Sequence, residues 1–148
     1  MPAPRRRTIV VERLPEFPDL PFPVRATRGS ACFDLAAAEA AELVPGRVTL
    51  VRTGFKMRAP SGTFLEVRPR SGLSSKGVLM VNAPGTIDRD YSGEVRVPLT
   101  FLFSGSYPIR PGDRIGQLRL VDDLGGAFRD GPVRLLPTRS GGFGSTGR

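Results

Sequence analysis

Hydrophobic residues occur along this chain in short runs separated by turn-forming prolines and glycines, as at Pro45-Gly46, Pro84-Gly85 and Pro111-Gly112. The runs between the turns are rich in β-branched and apolar residues, which favour strands. We predict strands at Thr8–Val11, Val48–Thr53, Thr63–Val67, Val78–Val81, Glu94–Phe103, Ile115–Val121 and Val133–Leu136. Short strands alternating with turns are typical of sandwiches and barrels, so the pattern predicts an all-β, jelly-roll-like fold.

The clearest alternation of apolar and polar residues lies in Glu94–Phe103. Its apolar residues at every second position share one face: Val95, Val97, Leu99, Phe101 and Phe103. This period of two is the signal of a strand with one buried face. The stretch Leu35–Leu43 leans towards a helix, but it is too short and too poorly patterned to found a helical domain.

The length and the two ends of the chain suggest one domain with a C-terminal arm. A chain of 148 residues is one domain by prior, and we assign residues 1–138 to it. Residues 1–7 are basic and are expected to fray. Residues 139–148 hold four glycines and one aromatic residue, so they cannot form a core and are expected to be flexible.

Nothing in the chain suggests a membrane span or a secretory signal. A span needs roughly 18 consecutive apolar residues, and no such run occurs. The basic start lacks an uninterrupted apolar stretch and a small-residue cleavage site, so we expect a cytoplasmic protein.

The composition limits the chemistry. The chain has no histidine and one cysteine, Cys32, which excludes Ser-His-Asp and Cys-His nucleophile systems, an intrachain disulfide and multi-cysteine metal sites. Any hydrolysis must therefore use carboxylates, arginines, hydroxyls, backbone amides or an oxygen-loving metal. The net charge of +8 fits a solvated arginine surface, a polynucleotide partner or a polyanionic small molecule, and charge alone does not separate a nucleotide from a polynucleotide.

Two segments have the composition of a binding or catalytic loop. Residues 69–77, Pro-Arg-Ser-Gly-Leu-Ser-Ser-Lys-Gly, follow a predicted strand, and their guanidinium, hydroxyls and glycines suit a phosphate cradle or an ordinary polar turn. Residues 82–94 hold Asp88, which could serve as a general base for water, and Tyr91, whose ring could stack on a sugar. A plain β-turn explains this second segment as well.

Two further segments are less distinctive. Residues 29–35 include Asp34, which could be a turn residue, and residues 112–118 include Asp113 and Arg114, which could form a surface ion pair. Taken singly, each segment is better explained by structure than by function.

Taken together and in this order, the four segments and the glycine-phenylalanine tail resemble the five motifs of the trimeric dUTPase family. The resemblance runs from Gly29 to Gly147. It implies a jelly-roll subunit of the β-clip type in a homotrimer, with dUTP and copies of the chain itself as partners. Each active site would be built by two subunits and closed by the flexible C-terminal arm of the third. A nucleic acid or a membrane is not required.

The resemblance also implies a role for each residue that matches a motif. The triphosphate would be held by Arg70, Ser71, Gly72, Gln117, Arg139, Ser145 and Thr146. The uracil and deoxyribose would be held by Asn82, Gly85, Thr86, Ile87, Tyr91 and Phe143. Asp88 would activate the water that attacks the α-phosphorus, with Mg²⁺ as cofactor and Asp34 in its outer shell through water. The reaction would yield dUMP and pyrophosphate, limiting uracil in DNA and supplying dUMP for dTMP synthesis.

The chain departs from the family pattern at a few positions. Cys32 and Phe33 stand where the first motif usually has glycine and tyrosine, and Gly116 stands where the fourth has alanine. Gly77 follows Lys76 directly, and Arg139 lies one residue closer to Phe143 than is usual.

Two alternatives to a dUTPase remain at this stage. A dCTP deaminase, or a bifunctional deaminase and dUTPase, shares the fold but is expected to show a different arginine-serine segment and a catalytic glutamate beside the hairpin. A non-catalytic nucleotide-binding regulator would have no need of Asp88, Tyr91 and Phe143 together.

Overall fold

The structure is a computed structural model that describes residues 7–133. Within them lie ten strands and one short helix. The strands are β1 (Val10–Arg13), β2 (Phe33–Ala36), β3 (Ala41–Leu43), β4 (Thr49–Arg58), β5 (Thr63–Arg68), β6 (Val78–Met80), β7 (Gly85–Ile87), β8 (Glu94–Phe101), β9 (Tyr107–Ile109) and β10 (Arg114–Asp122), and the helix is α1 (Ser71–Ser74).

The strands form three antiparallel sheets. One has the order β1-β4-β8-β6, the second has the order β2-β10-β5-β7, and the third is the pair β3-β9. The two four-stranded sheets bury their apolar faces in one core. The all-β, jelly-roll-like class predicted from the sequence is therefore confirmed.

The alternation in the β8 sequence corresponds to the burial of its side chains. Val95, Val97 and Leu99 are buried in the core, and Phe101 is half-buried at the end of the strand. Phe103 is exposed because the strand ends two residues earlier, although its ring packs edge-on against that of Phe101. The prediction that these alternate residues share one buried face is therefore correct over the length of β8.

The segment Leu35–Leu43 contains no helix. Its two ends belong to β2 and β3, and between them the amides of Ala37 and Ala38 donate to the carbonyls of Asp113 and Arg52. The local preference of the alanines for a helix is thus overridden by hydrogen bonds to distant segments. The sequence reading also missed β7 and β9, which have three residues each and carry too little pattern to be recognised.

Some expectations fall on undescribed parts of the chain. These are the fraying of residues 1–6, most of the predicted strand Val133–Leu136, and the arm at residues 139–148 with Arg139, Phe143, Ser145 and Thr146. No helix in residues 7–133 is long and apolar enough to cross a membrane.

Leu65 lies at the centre of the core and offers a test of the packing. Its side chain is fully buried on β5, between β10 and β7. Leu65→Ala should lower the free energy of unfolding by about 2–5 kcal/mol, because the cavity it leaves cannot collapse fully. Urea unfolding at fixed protein concentration measures this. Leu102→Ala, at a 58% exposed position, is the matched control, and equal losses for the two variants would contradict this picture of the core.

Candidate active site

A cavity of about 320 Å³ lies where β7 and the loop that joins it to β8 meet the surface of the β1-β4-β8-β6 sheet. Six residues selected from the sequence line it: Asn82, Gly85, Thr86, Ile87, Asp88 and Tyr91. Leu50, Val67, Glu94, Val95, Arg96 and Pro98 complete the lining. The first set follows one segment of sequence, whereas most of the second comes from neighbouring strands.

β7 is fixed to the β2-β10-β5-β7 sheet by its pairing with β5. Gly85 lies opposite Val67 and Ile87 lies opposite Leu65. A side chain at Gly85 would meet the Asn82 amide nitrogen at 3.0 Å, so glycine lets this amide lie against the main chain. The Asn82 amide can both donate and accept a hydrogen bond at the cavity wall.

Tyr91 and Asp88 are joined by a turn in the loop between β7 and β8. The amide of Tyr91 donates to the carbonyl of Asp88 at 3.1 Å, and the tyrosine hydroxyl donates to the carbonyl of Glu94 at 3.0 Å. A side chain at Gly93 would overlap the tyrosine hydroxyl, so glycine is needed beneath the ring. Asp88 is exposed at the cavity rim, where its carboxylate is accessible to a water molecule and a ligand.

The residues expected to hold phosphate form a second group. Arg70 directly precedes α1, which contains Ser71 and Gly72. The Nε of Arg70 lies 3.0 Å from Oδ1 of Asp34, and Nε2 of Gln117 donates to the carbonyl of Pro69 at 2.8 Å. Asp34 and Gln117 are direct partners in the β2–β10 pairing. The structure thus brings Asp34, Arg70 and Gln117 together.

Asp34 holds a second arginine that the sequence reading did not select. The NH1 of Arg114 lies 3.4 Å from Oδ2 of Asp34, while Asp113 accepts a hydrogen bond from the amide of Arg110. The suggested Asp113–Arg114 ion pair is therefore wrong. Only the register of β2 on β10 reveals the real partner, which lies 80 residues away in the sequence.

The chemistry of this second group suits an anion. Asp34 has one arginine at each carboxylate oxygen, and the described residues contain no cluster of three or more acidic, cysteine or histidine side chains that could hold a metal. A metal carried in by phosphate oxygens and water fits such a group, because it needs no cage of protein ligands.

The two groups share no residue. Arg70, Ser71, Gly72, Gln117 and Asp34 are all absent from the lining of the cavity that holds Asp88. Within the described part of a single chain, the cavity that contains Asp88 and the cluster around Asp34 are therefore separate surfaces.

Comparisons with known proteins identify the family of this chain. The family model described as dUTPase matches residues 19–147. The deoxyuridine 5'-triphosphate nucleotidohydrolase of Zymomonas mobilis is 44% identical over 140 residues, which cover 93% of this chain and 95% of that protein. That of Anaeromyxobacter sp. is 45% identical over 142 residues, which cover 88% and 90%.

Solved structures give the same result for the fold. The dUTPase from Streptococcus mutans matches with a TM-score of 0.73 at 28% identity, over 82% of this chain and 98% of that one. The Staphylococcus bacteriophage 80alpha dUTPase with dUPNHPP matches with a TM-score of 0.81 at 24% identity, over 95% and 98%. On the family model and the two relatives, this chain belongs to the dUTPase family.

Proposed function

We propose that Asp88 activates the attacking water in the reaction of this family, the hydrolysis of dUTP to dUMP and pyrophosphate. The chain is an enzyme of this reaction, and its match to dUTPases over most of its length does not favour a deaminase or a regulator. The observation that supports the assignment of the base is the cavity, which gathers Asn82, Asp88 and Tyr91 around a space of about 320 Å³. Of the two carboxylates that line the cavity in residues 7–133, Asp88 is exposed, whereas the Glu94 side chain is buried in ion pairs.

Each part of the cavity suits one part of the nucleoside. The Asn82 amide and the main chain of β7 offer hydrogen bonds to the edge of uracil, while Leu50 and Pro98 provide apolar contact. The Tyr91 ring supports the deoxyribose and leaves no room for a 2′-hydroxyl. Asp88 binds the 3′-hydroxyl and takes a proton from the water as it attacks the α-phosphorus in line.

The phosphates are held by Arg70, Ser71, Gly72 and Gln117 of a neighbouring subunit in a homotrimer. The separation of the two groups within one chain supports this arrangement. Apolar side chains left exposed on the monomer also support it, among them Leu50, which is 55% exposed at the cavity wall, and Phe128, which is fully exposed. Large exposed apolar side chains are typical of subunit interfaces.

Magnesium fits this site as a partner of the triphosphate. When bound with the triphosphate, Mg²⁺ would supply positive charge to the phosphate oxygens. Asp34 holds Arg70 and Arg114 in place and would contact the ion only through water.

Pyrophosphate release from dUTP, dCTP, dTTP and UTP, each with and without Mg²⁺, tests the function. We expect release from dUTP alone, and faster release with Mg²⁺. Ammonia release from dCTP would indicate a deaminase, and no release from any nucleotide would contradict the proposal.

The role of Tyr91 predicts a change in sugar selectivity. Tyr91→Ala should raise the kcat/KM of UTP relative to that of dUTP by about tenfold or more, because the ring no longer excludes the 2′-hydroxyl. Tyr91→Phe keeps the ring and loses only the hydrogen bond to the Glu94 carbonyl, so the difference between the two variants measures the effect of the ring itself. An unchanged ratio in Tyr91→Ala would remove Tyr91 as the sugar filter.

The arm at residues 139–148 closes the loaded site, with Phe143 stacking on uracil and Arg139, Ser145 and Thr146 reaching the phosphates. Deleting these ten residues should slow turnover by roughly tenfold or more, because a closing segment excludes water and completes the site. Steady-state kinetics and gel filtration together test this. A full-length variant with Phe143→Leu separates stacking from closure, and an unaffected rate after the deletion would rule out the lid.

A further inference from the structure

Glu94 is a buried carboxylate at the first residue of β8, with a side chain that is 6% exposed. It accepts hydrogen bonds from the Nε of Arg52 at 2.9 and 3.1 Å, from the amide of Gly54 at 3.0 Å and from the Nε of Arg96 at 2.9 Å. A buried charge is tolerated when it is paired and hydrogen-bonded in this way. Glu94 therefore has a single well-defined position.

Gly54 provides its hydrogen bond from a bulge in β4. The β4–β8 register shifts between Arg52 and Lys56, and Gly54 lies within the shift with a φ of 75°. A side chain there would overlap Leu20, so the bulge needs glycine for both its conformation and its packing. Because of the bulge, the amide of Gly54 points to the Glu94 carboxylate and does not pair with a neighbouring strand.

Arg52 connects Glu94 to the segment that follows β1. Its NH2 lies 2.7 Å from Oε1 of Glu16, and its guanidinium carbon lies 4.7 Å from the centre of the Phe17 ring. The hydrogen bond from Arg52 lowers the pKa of Glu16, and the hydrogen bonds to Glu16 and Glu94 raise the pKa of Arg52. The guanidinium is thus held between two elements.

The main chain of Glu94 connects these contacts to the loop between β7 and β8. Its carbonyl accepts the Tyr91 hydroxyl, and the Tyr91 amide donates to the carbonyl of Asp88. A side chain at Gly93 would overlap the tyrosine hydroxyl, so glycine at this position leaves room for the ring. The contacts form one series from Arg52 through Glu94 and Tyr91 to Asp88.

We propose that Arg52 and Glu94 are positioning residues for the loop of the active site that contains Asp88 and Tyr91. Their ion pair fixes the start of β8, and this holds the Tyr91 ring at the sugar and the Asp88 carboxylate at the water. The inference rests on the proposed function of Tyr91 and Asp88. A displacement of about 1 Å at a reacting group can cost roughly 10²-fold in rate, so a lost ion pair one contact away has a measurable effect.

Kinetics of Glu94→Gln, Arg52→Met and Arg52→Lys test the proposal. For the first two we expect kcat on dUTP to fall about tenfold or more and the preference for dUTP over UTP to weaken, because the ring and the carboxylate both lose their position. Arg52→Lys should recover part of the loss, since it keeps the charge. The double variant should lose less than the product of the single losses, because both changes break the same link.

Two controls separate positioning from stability. Glu16→Gln changes an exposed partner of Arg52 and leaves Glu94 and Glu39 in place, and Ile109→Val trims a buried side chain of β9 that does not line the cavity. Both should keep kcat within about twofold while Ile109→Val lowers Tm. If Glu94→Gln and both Arg52 variants lower Tm but keep kcat and sugar preference, the pair is only structural and the proposal is overturned. An inactive wild-type protein would overturn the proposed function as well.

Discussion

Asp88→Asn is expected to lower kcat for dUTP hydrolysis by about 10²–10⁴-fold, the range that a general base contributes. Asparagine has the same shape but cannot take a proton from the attacking water. The binding of a non-hydrolysable dUTP analogue should change little, because the amide can still bond the 3′-hydroxyl. Single-turnover kinetics and calorimetry on the same protein measure the two effects separately.

Asp90 provides a matched control from the same loop between β7 and β8. It is also exposed, but it lines a different groove together with Lys56, Arg58 and Arg89. Asp90→Asn should therefore keep kcat within about threefold of the wild-type value. A large loss in Asp90→Asn with little loss in Asp88→Asn would exchange the roles of the two carboxylates.

The part of the fold that sequence alone predicted is the part with strong local signals. Glu94–Phe103 and Thr63–Val67 were found because alternation and β-branched residues persist over several positions. Leu35–Leu43 was misread because its strands exist only through hydrogen bonds to distant segments. Strand pairs that bring distant parts of the chain together leave little trace in the local pattern.

The candidate site shows the same division. The residues of segment 82–94, such as Asn82, Asp88 and Tyr91, could be selected because they are neighbours in sequence and their types match the chemistry. Leu50 and Arg96 reach the cavity through the register of β4 on β8, which no local pattern specifies. A side chain enters a site by its place in the sheet, and this has to be seen in the structure.

Glu94 and Asp34 show what the sequence reading could not assign. Asp34 was expected only in the outer shell of the metal, and Glu94 was given no role, yet each binds two arginines. Part of the arginine-rich composition is therefore explained by internal ion pairs, and a nucleic acid is not needed to account for it. A carboxylate that binds an arginine through its planar fork also restricts the direction of that guanidinium.

Arg70→Lys is expected to lower kcat/KM for dUTP by roughly 10²-fold, because lysine cannot bind Asp34 and a phosphate oxygen at once through a planar fork. The Nε of Arg70 is occupied by Asp34, which leaves its other nitrogens for the ligand. Arg68→Lys is the control, since Arg68 is more exposed and pairs with Glu66. Equal losses in both variants would indicate a general effect of charge and would contradict a specific role for Arg70.

A mixture of the Asp88→Asn and Arg70→Lys variants tests whether the site is shared between subunits. If Asp88 and Arg70 of one site come from different subunits, trimers assembled at random from equal amounts contain some sites with both native residues. About a quarter of the sites are then native, so co-refolded protein should regain about a quarter of the wild-type rate. Each variant refolded alone should stay at its own low rate. If both residues of a site come from one chain, no mixed trimer contains a native site, and the mixture should only average the two low rates.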